Sequence, residues 1–554
     1  MAADRPPEPA VELLELRVLE GPNRFANRPA IKLEFQGDPE SVAGVARDAG
    51  ELIRHFHHEL GFPAPRVTFR RSADGTRVMT AFAWRRRAIA QAIAGAAARV
   101  ALGAGTERRE LRSLRAVAGG PRAILPVPRV PIVAVTGTNG KSTTTRLIAH
   151  IASAAGRRVG MTNSDGIYVR GELVEAGDWT GFGGAGRILA EADLDLAVLE
   201  TARGGILLRG IGYERNDVSV VTNVSADHLG LQGIDTLDEL AEVKGAVVRI
   251  TRRGGWAVLN GEDPRVWAMR LHSRARPYAF SLSPRAAAVA EALASGGRAA
   301  VLERGRLVLR RPRGRRVSLA VAADLPVTFG GLSRYNVANA LAAAAACDAL
   351  GLSADEIRIG LATFAQDETV NPGRLNLYAR RGVLALVDFA HNEAGLAGLL
   401  DVCDRLVLKP NGRVRLALGT AGDRTDDILL GLGRLAGSRA DDLVICEKRH
   451  YLRGREVGQM NALFRAAAAE SGYPGRVVAY KTELGSLRAL LGRSHRGDIA
   501  AVMSHVERPQ IFAWLAREGF RPVPLARLRE LLDARDRSQR DRSTRDRSTR
   551  DRSA

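Results

Sequence analysis

The sequence predicts an α/β protein with two mostly parallel sheets, preceded by a small α+β domain. From Val130 onward, apolar strand-like runs alternate with segments of helical periodicity, a pattern typical of parallel strands covered by helices on both faces. A glycine-rich turn joins the first of these strands to a helix in PIVAVTGTNGKSTTTRLIAHI. The length of 554 residues indicates three or four units, because a domain usually holds roughly 100–200 residues.

Residues 1–118 predict the small α+β domain. The strand-like runs LELRVLEG and AIKLEFQG precede VAGVARDAGELIRHFHHELG, which has helical periodicity, and a strand-like RVTFRR. A further apolar helix is predicted over Ala88–Ala101. The linker Gly119–Pro131 is rich in proline and glycine and separates this domain from the remainder of the chain.

Two larger domains are predicted after the linker, a central one over residues 119–368 and a Rossmann-like carboxyl-terminal one over 369–534. The central strands are expected in RVPIVAVTG, LDLAVLET, VSVVTNV and WAVLN, and the later strands in VLALVDFA, RVRLALGT, DLVICE and RVVAYK. Residues 535–554 repeat a five-residue RDRST-like unit whose one apolar side chain is the final Ala554. Such a segment cannot bury a core, so we expect a disordered tail.

The charge balance is basic, with 82 Lys+Arg against 61 Asp+Glu. A basic balance ordinarily suggests nucleic acid or an acidic polymer as a partner. Here the excess of basic residues is spread diffusely along the sequence, so a nucleic-acid partner is not favoured. Arginine supplies almost all of the positive charge. We therefore expect each position that keeps a lysine to need lysine for a specific reason. The lysines are Lys32, Lys141, Lys244, Lys409, Lys448 and Lys481.

The cysteines and the amino terminus indicate a cytoplasmic, soluble protein. Cys347, Cys403 and Cys446 lie far apart and form neither a CxxC pair nor a metal-ligand pattern, as expected of buried thiols in a reducing compartment. The amino terminus lacks the basic and apolar regions of a signal peptide, and no run of about 18 uncharged apolar residues occurs. No membrane partner is expected.

The glycine-rich turn has the residues of a phosphate-binding loop. Its backbone N–H groups would cradle phosphate oxygens, Lys141 would reach the β- and γ-phosphates, and Ser142 would offer its hydroxyl to Mg²⁺. Val135 stands where the standard loop has its first glycine, so this is the shorter GTNGK[ST]T form; a glycine-containing turn before an ordinary helix is the alternative. The loop residues are Gly137, Thr138, Asn139, Gly140, Lys141, Ser142 and Thr143.

The short loop resembles that of the Mur ligases, and residues further along match this family at similar intervals. Glu200 ends LDLAVLE and the segment Asn223–His228 follows the next strand, so both are expected at the carboxyl ends of parallel strands, where such sheets bind ligands. The resemblance implies ATP as the nucleotide and Mg²⁺ held by Ser142, Glu200 and His228. Taken alone, Glu200 would be a cap or a solvated side chain.

Lys244 lies in the helical stretch TLDELAEVKGAVVRI. In Mur-type enzymes a lysine at this place is carbamylated, and the resulting carboxylate helps to hold a second Mg²⁺. Arginine cannot form that carbamate, so lysine at this position fits the resemblance, whereas the alternative is an ordinary surface lysine. The predicted catalytic residues are Lys141, Glu200, His228 and Lys244.

Three later segments resemble nucleotide-contacting motifs of the family. VLNGEDP supplies Asn260, and GGLSRYNVANALAAAAA supplies Asn336 and Asn339, although Tyr335 stands where the family has histidine. In NPGRLNLY, Arg374 matches the arginine that approaches the nucleotide as the domains close.

The segment VDFAHNEAG matches the family's DYAHNP motif through Asp388, His391 and Asn392. Phe389 and Glu393 are mild departures from it. The resemblance therefore places Asp388 and His391 with Asn260, Asn336 and Arg374 among the expected nucleotide-binding residues.

Within the superfamily, residues 120–525 most resemble the carboxyl-terminal half of the cyanophycin synthetase family. The matching segments are MTNSDGIYVRGE, LETARGGIL, NVSADHLGLQGIDTLDELAEVK, and the later GDR and LRGR. The opening unit, with EGPNRFANRP, resembles the amino-terminal domain of that family more weakly. The short linker at Gly119–Pro131 leaves no room for an ATP-grasp domain between the two, so the half that adds aspartate is expected to be absent there.

The resemblance implies an ATP-dependent ligase that joins a carboxylate to an amine through an acyl phosphate. By analogy, the acid would be an aspartyl or other acidic peptide and the amine a basic amino acid, although analogy of fold is a weak guide to substrate. Two alternatives stay open: a catalytically silent ATP-binding regulatory or scaffold protein, and a polyanion binder that uses the basic tail. The oligomeric state is not indicated by the sequence.

Overall fold

The computed structural model describes residues 10–227, 229–408 and 411–533. His228 and the repeat from Arg535 therefore lie outside the described residues. Within this part, two compact units are distinguished: residues 10–137, 156–224 and 229–278 belong to the first, and residues 138–155, 225–227 and 279–533 to the second.

A four-stranded antiparallel sheet of strand order β1-β2-β4-β3 opens the chain. Its elements are β1 Val11–Leu19, β2 Ala30–Gly37, α1 Pro39–Glu59, β3 Val67–Arg71, β4 Arg77–Ala83, α2 Arg87–Ala101 and α3 Glu107–Arg115. Helix α1 begins after Asp38, whose carboxylate accepts from the N–H groups of Glu40 (3.1 Å) and Ser41 (3.4 Å). Its apolar face buries Ile53 and Phe56 in the core of this sheet.

An eleven-stranded sheet comes next, with the order β15-β14-β13-β12-β11-β10-β5-β9-β6-β7-β8. Its strands are β5 Ile132–Thr136, β6 Val159–Thr162, β7 Gly166–Val169, β8 Glu172–Ala176, β9 Leu196–Glu200, β10 Asn216–Val221, β11 Thr251–Asn260, β12 Arg276–Ser281, β13 Arg298–Glu303, β14 Arg306–Arg310 and β15 Arg316–Val321. Strands β6, β9, β5, β10 and β11 are parallel. The strands β6–β8 and β13–β15 pair antiparallel.

The helices of this central region are α4 Lys141–Ala154, α5 Phe182–Leu189, α6 Arg203–Leu208, α7 Leu237–Arg249, α8 Pro264–Ala268, α9 Ala287–Ala294, α10 Arg334–Ala349 and α11 Ala354–Thr363. Helix α7 starts with a capping box in which Thr236 and Glu239 satisfy each other's backbone N–H groups. The box defines where the helix carrying Lys244 begins.

The third sheet has seven strands in the order β20-β19-β18-β21-β17-β16-β22. Its elements are β16 Asn376–Arg380, β17 Val383–Asp388, α12 Glu393–Leu406, β18 Val414–Leu418, α13 Asp426–Arg439, β19 Asp442–Cys446, α14 Val457–Glu470, β20 Val478–Tyr480, α15 Glu483–Gly492, β21 Ile499–Met503, α16 Arg508–Arg517 and β22 Arg521–Pro522. Strands β20, β19, β18, β21 and β17 are parallel, and β16 pairs antiparallel with both β17 and β22.

The predicted α/β class, with two mostly parallel sheets after a small α+β unit, is confirmed. The strands that were not located from the sequence are β4, β6–β8, β12–β16, β21 and β22. In β14 and β15 the alternation of apolar residues is hidden by arginines in RLVLRRPRGRRVSLAV, and β21 is a short apolar run that periodicity cannot assign. The domain limits at residues 118, 368 and 534 stay predictions.

All three cysteines are buried thiols, as expected. No helix in the described ranges combines the length and the apolar character that crossing a membrane requires.

Candidate functional site

The glycine-rich turn connects a fully buried strand, β5, to helix α4. Gly140 ends the turn with φ of 85°, in the left-handed region, and a Cβ there would lie 2.3 Å from Oδ1 of Asn339. Glycine is therefore required by both backbone and space. The N-cap residue of α4 is Gly140, which has no side chain to cap the helix, and Ser142 and Thr143 in the first turn are buried. The backbone N–H groups of this turn suit a phosphate group.

Side chains hold the rest of this loop in place. Lys141 Nζ donates to the carbonyl oxygen of Thr138 at 2.8 Å. Thr138 Oγ1 donates to the carbonyl oxygen of Ser225 (3.2 Å) and accepts from its N–H group (3.1 Å), which ties the loop to the NVSADH segment. The Lys141 side chain thus folds back onto the loop in which a phosphate group would bind.

Asn139 and Asn392 form a reciprocal pair of amide hydrogen bonds. Asn139 Nδ2 donates to Asn392 Oδ1 at 3.1 Å, and Asn392 Nδ2 donates to Asn139 Oδ1 at 3.0 Å. Asn392 Oδ1 also accepts from the N–H of Gly395 and caps α12. The phosphate loop is thereby joined to the DFAHN segment within the second unit.

Glu200 and Lys244 lie in the first unit, both 3% exposed. Glu200 is the last residue of β9 and stands opposite Val135 in the register of β5 and β9. Lys244, on α7, donates from Nζ to the carbonyl oxygen of Gly137 at 2.7 Å. Its amine therefore contacts the first residue of the predicted phosphate loop, rather than solvent as a surface lysine would.

The VLNGEDP turn supports the segment that comes after β10. Asn260 Nδ2 donates to the carbonyl oxygen of Thr222 at 2.8 Å. Asp263, which was not singled out from the sequence, accepts from the N–H of Val224 at 2.7 Å and also caps α8. In this structure Asn260 and Asp263 shape the start of NVSADH.

The start of α10 places two buried asparagines against the phosphate loop. Asn339 Nδ2 donates to Asn336 Oδ1 at 3.0 Å, which orients the Asn339 oxygen toward Gly140. Ser333 caps this helix by accepting from the N–H of Asn336. Asn339 thus lies beside the loop, and Asn336 is its hydrogen-bond partner.

Asp388 ends β17 and organises two turns. Its Oδ2 accepts from the N–H of Leu375 at 2.9 Å and its Oδ1 from the N–H of Ala390 at 2.8 Å. Burial raises the pKa of Asp388, although Arg374 and the two amides favour the charged form. The Arg374 guanidinium lies 4.2 Å from the ring centroid of Phe389, so phenylalanine provides a face on which that arginine packs.

A cluster of charges that was not foreseen from the sequence joins NVSADH to the GDR segment. Arg424, a buried residue, lies with Nη2 at 3.2 Å from Oδ1 of Asp227. His391 Nε2 lies 3.5 Å from the other oxygen of Asp227, and the His391 carbonyl accepts from Thr420 Oγ1 at 2.8 Å. GDR was noted only as a match; its partner Asp227 could not be inferred from spacing.

The described residues contain no group of three His, Cys, Asp or Glu side chains suited to a metal ion. His228, one of the predicted ligands, lies outside the described residues. The donors that fit Mg²⁺ chemistry are the Glu200 carboxylate and the Ser142 hydroxyl. Lys244 fits only after conversion to a carboxylate, which is what carbamylation does.

Comparison with known proteins agrees with these features. Residues 135–347 match the model of the Mur ligase middle domain. Cyanophycin synthetase from Crocosphaera subtropica is 42% identical over 332 residues, or 60% of this chain, and the chain spans 37% of that protein's length. A UDP-N-acetylmuramoyl-L-alanyl-D-glutamate--2,6-diaminopimelate ligase from Geobacillus kaustophilus is 27% identical over 401 residues, covering 68% of this chain and 74% of that one.

A solved structure shares the fold at 20% identity. It is a bifunctional folylpolyglutamate synthase/dihydrofolate synthase with Mn, AMPPNP and L-glutamate bound, and it matches with a TM-score of 0.52 over 71% of this chain and 91% of its own. This likeness shows the fold alone, and the family assignment rests on the family model and the sequence relatives. The chain belongs to the Mur ligase superfamily.

Proposed function

We propose that this Mur-type protein is an ATP-dependent ligase that joins a carboxylate to an amine and forms an amide. The observation that carries the proposal is the position of Lys244, a 3% exposed lysine that donates to the backbone of Gly137. A lysine buried against a phosphate loop has little value for solubility. It has a clear use if its nitrogen becomes part of the site.

The phosphate loop would bind ATP through the backbone N–H groups of Gly137–Thr143. Lys141 would exchange its bond with the Thr138 carbonyl for one with a β- or γ-phosphate oxygen. Asn260, Asn336, Arg374, Asp388 and His391 would complete the nucleotide site. Arg374 would add positive charge as the transferred phosphoryl group moves.

Mg²⁺ would be held by Ser142, Glu200, His228 and a carbamate on Lys244. The carbamate forms when the unprotonated Nζ attacks CO₂, which makes an N–C bond and releases one proton. When bound, Mg²⁺ would neutralise charge on the phosphates. The proposal therefore requires the uncharged form of the Lys244 amine, because only that form attacks CO₂.

The reaction would proceed in two steps. A substrate carboxylate oxygen attacks the γ-phosphorus of ATP and breaks its bond to the bridging oxygen, giving an acyl phosphate and ADP. The amine then attacks the acyl carbon, loses a proton and displaces phosphate. Exclusion of water from the site protects the acyl phosphate from hydrolysis.

For the substrates, we propose an acidic peptide as the carboxylate and a basic amino acid as the amine. The support is the 42% identity to cyanophycin synthetase, of whose length the chain spans 37%. The domain limits predicted from the sequence belong to the same proposal, as does a cytoplasmic location, in keeping with its buried free thiols.

A panel of acidic peptides and amino acids, incubated with ATP and Mg²⁺, tests the proposal through phosphate release and product mass. Release that requires both an acid and an amine, with a product of their summed mass less water, supports ligation. Tight ATP binding with no turnover across the panel would instead favour the silent regulatory protein. Salt-sensitive retention on nucleic acid that is lost without residues 535–554 would favour the polyanion binder.

A further inference from the structure

The segment Glu20–Asn27, here called the docking loop, has a conformation fixed by its own side chains. Asn23 is fully buried, and its Oδ1 accepts from the N–H groups of Phe25 (2.9 Å) and Ala26 (3.1 Å). Its Nδ2 donates to the carbonyl oxygen of Gly21 at 2.8 Å. These bonds form an Asx turn that presents the next side chain, Arg24, in one direction.

The docking loop packs closely against the chain that comes after α6. The N–H of Ile211 donates to the carbonyl oxygen of Pro22 at 2.7 Å, and the N–H of Glu20 donates to the carbonyl oxygen of Arg209 at 2.7 Å. A Cβ on Gly21 would lie 1.8 Å from the carbonyl oxygen of Ile211, so a larger residue cannot occupy this position. The loop is thus anchored before it reaches α7.

Arg24 forms ion pairs with the helix that carries Lys244. Its side chain is 3% exposed, with Nε donating to Oε2 of Glu242 at 2.7 Å and Nη2 to Oε1 of Glu239 at 3.2 Å. Arg70 Nη2 donates to the other oxygen of Glu242 at 2.6 Å. Two arginines of the amino-terminal domain therefore compensate a carboxylate located two residues before Lys244.

The helix also contacts the docking loop through its own side chain. Arg249, in the last turn of α7, donates from Nη2 to the carbonyl oxygens of Asn23 (2.7 Å) and Arg24 (3.1 Å). The loop is consequently bonded to α7 near its first turn, at its middle and at its end. Such contacts resist both rotation of the helix about its axis and sliding along it.

We propose that Arg24 is a positioning residue that sets the position of the Lys244 amine relative to the carbonyl oxygen of Gly137. The inference rests on the proposed function, because it assigns to the amino-terminal domain a part in forming the carbamate. Lys244 Nζ needs the correct distance from the Gly137 carbonyl, and Arg24 holds the helix on which that distance depends. A displacement of about 1 Å at a reacting group can cost roughly 100-fold in rate.

The test compares Arg24→Ala and Arg24→Lys with Arg28→Ala. Arg28 belongs to the same part of the chain and is exposed, and no hydrogen bond or ion pair of its guanidinium is found among the described residues, so this variant controls for the loss of one positive charge. The first readout is the carbamate signal in the NMR spectrum of protein equilibrated with isotopically labelled bicarbonate. The second is hydrogen exchange of the α7 amides, and the third is the kcat of ligation.

We expect Arg24→Ala to lose most of the carbamate signal, to exchange faster in α7 and to lower kcat by roughly 10- to 100-fold. Arg24→Lys should fall between Arg24→Ala and the wild type, since a point charge replaces a fork of donors. Arg28→Ala should match the wild type. A folded Arg24→Ala with the wild-type carbamate signal overturns the inference and leaves the proposed function standing.

Wild-type protein without a carbamate signal overturns both the inference and this part of the proposed function. If Arg24→Ala does not fold, Glu242→Gln provides the second variant, because it weakens the ion pair by which Arg24 holds α7 while leaving an oxygen acceptor that limits the loss of stability. A several-fold loss of carbamate in Glu242→Gln supports the inference, and an unchanged signal contradicts it.

Discussion

Lys244 in the central sheet region and Lys448 in the carboxyl-terminal sheet region are both almost fully buried, but they have different surroundings. Lys448 Nζ lies 2.5 Å from Oε1 of Glu483 and donates to the carbonyl oxygen of Met503. Lys244 Nζ donates to a backbone carbonyl of the phosphate loop. The first is a salt bridge that stabilises a strand end, whereas the second is an amine placed at a candidate site.

Lys32 in the amino-terminal sheet resembles Lys448. Its Nζ lies 2.6 Å from Glu34 and 2.5 Å from Glu15. In a chain that uses arginine almost everywhere, the rarity of lysine therefore does not identify a functional residue, because Lys32 and Lys448 form structural ion pairs. Contact with the phosphate loop, rather than rarity, distinguishes Lys141 and Lys244.

The largest effect is expected from Lys141→Ala, which should abolish phosphate release while leaving the fold intact, because this side chain serves phosphate rather than packing. Phosphate release and a thermal melt are the two measurements. Lys481→Ala is the matched control, since Lys481 is exposed and outside the loop. Wild-type release by Lys141→Ala would contradict the loop assignment.

Replacing Lys244 tests whether its amine belongs to the candidate site, in contrast to the structural ion pair of Lys448. Lys244→Ala and Lys244→Arg should both be inactive, because neither can carry a carbamate, even though arginine keeps the original charge. Activity of the wild type should fall in CO₂-depleted buffer and return with bicarbonate. A small added carboxylate should partly rescue Lys244→Ala by filling the vacated space. Turnover of Lys244→Arg at the wild-type rate would exclude the carbamate.

Lys448→Met should act on stability instead. Removing one partner of a buried ion pair costs about 3–5 kcal/mol, because Glu483 would keep an uncompensated charge. Thermal and urea unfolding measure this loss. The double variant Lys448→Met/Glu483→Gln should recover part of it, because glutamine removes the unpaired charge and keeps an acceptor for the surrounding N–H groups. A melt equal to that of the wild type for Lys448→Met would show that the pair contributes nothing.

The pair of Lys448 and Glu483 also predicts that the free energy of unfolding decreases at acidic pH. Burial alone would raise the pKa of Glu483, but Lys448, His505 and hydrogen bonds from residues such as Ser504 hold it well below its ordinary value. A depressed folded-state pKa contributes stability that is present above the ordinary value near 4.5 and is lost as the pH falls toward the folded-state pKa. Glu483→Gln should make that decrease smaller in urea titrations below pH 4.5, and an unchanged decrease would assign it to other carboxylates.

Much of the fold could be predicted because periodicity is a local property. Strand β9 ends at Glu200 as its apolar run indicated, and α2 covers Ala88–Ala101. Contacts between distant segments could not be predicted in this way. Asp263 on Val224, Asp227 beside Arg424 and Arg24 on Glu242 join residues far apart in the chain, and no spacing rule encodes such pairs.

The motif residues show the same limit at shorter range. Resemblance named Asp388 and Asn392 as part of one motif, but it did not say that Asp388 binds the backbone of Leu375 or that Asn392 pairs with Asn139. These partners depend on how two loops meet, which is a property of packing. Sequence thus supplied candidate residues, and the structure supplied what each one touches.

The smallest effect is expected at the amide pair Asn139–Asn392. Its two hydrogen bonds are neutral, so the loss of each should cost about 0.5–1.5 kcal/mol, far less than a buried charge. Asn139→Ala and Asn392→Ala should each weaken ATP binding or turnover by a few-fold, and the double variant should lose little more than either one, since both remove the same contact.

Fluorescent ATP-analogue titration and steady-state kinetics measure this coupling. Asn392 also caps α12, so Asn392→Asp serves as a control that keeps the cap oxygen and removes the donor to Asn139. Asn392→Asp should therefore lower ATP affinity while preserving the melting temperature, whereas Asn392→Ala should lower both. Fully additive losses in the double variant would mean that each asparagine acts on the nucleotide separately, and the pair would then be a contact without energetic coupling.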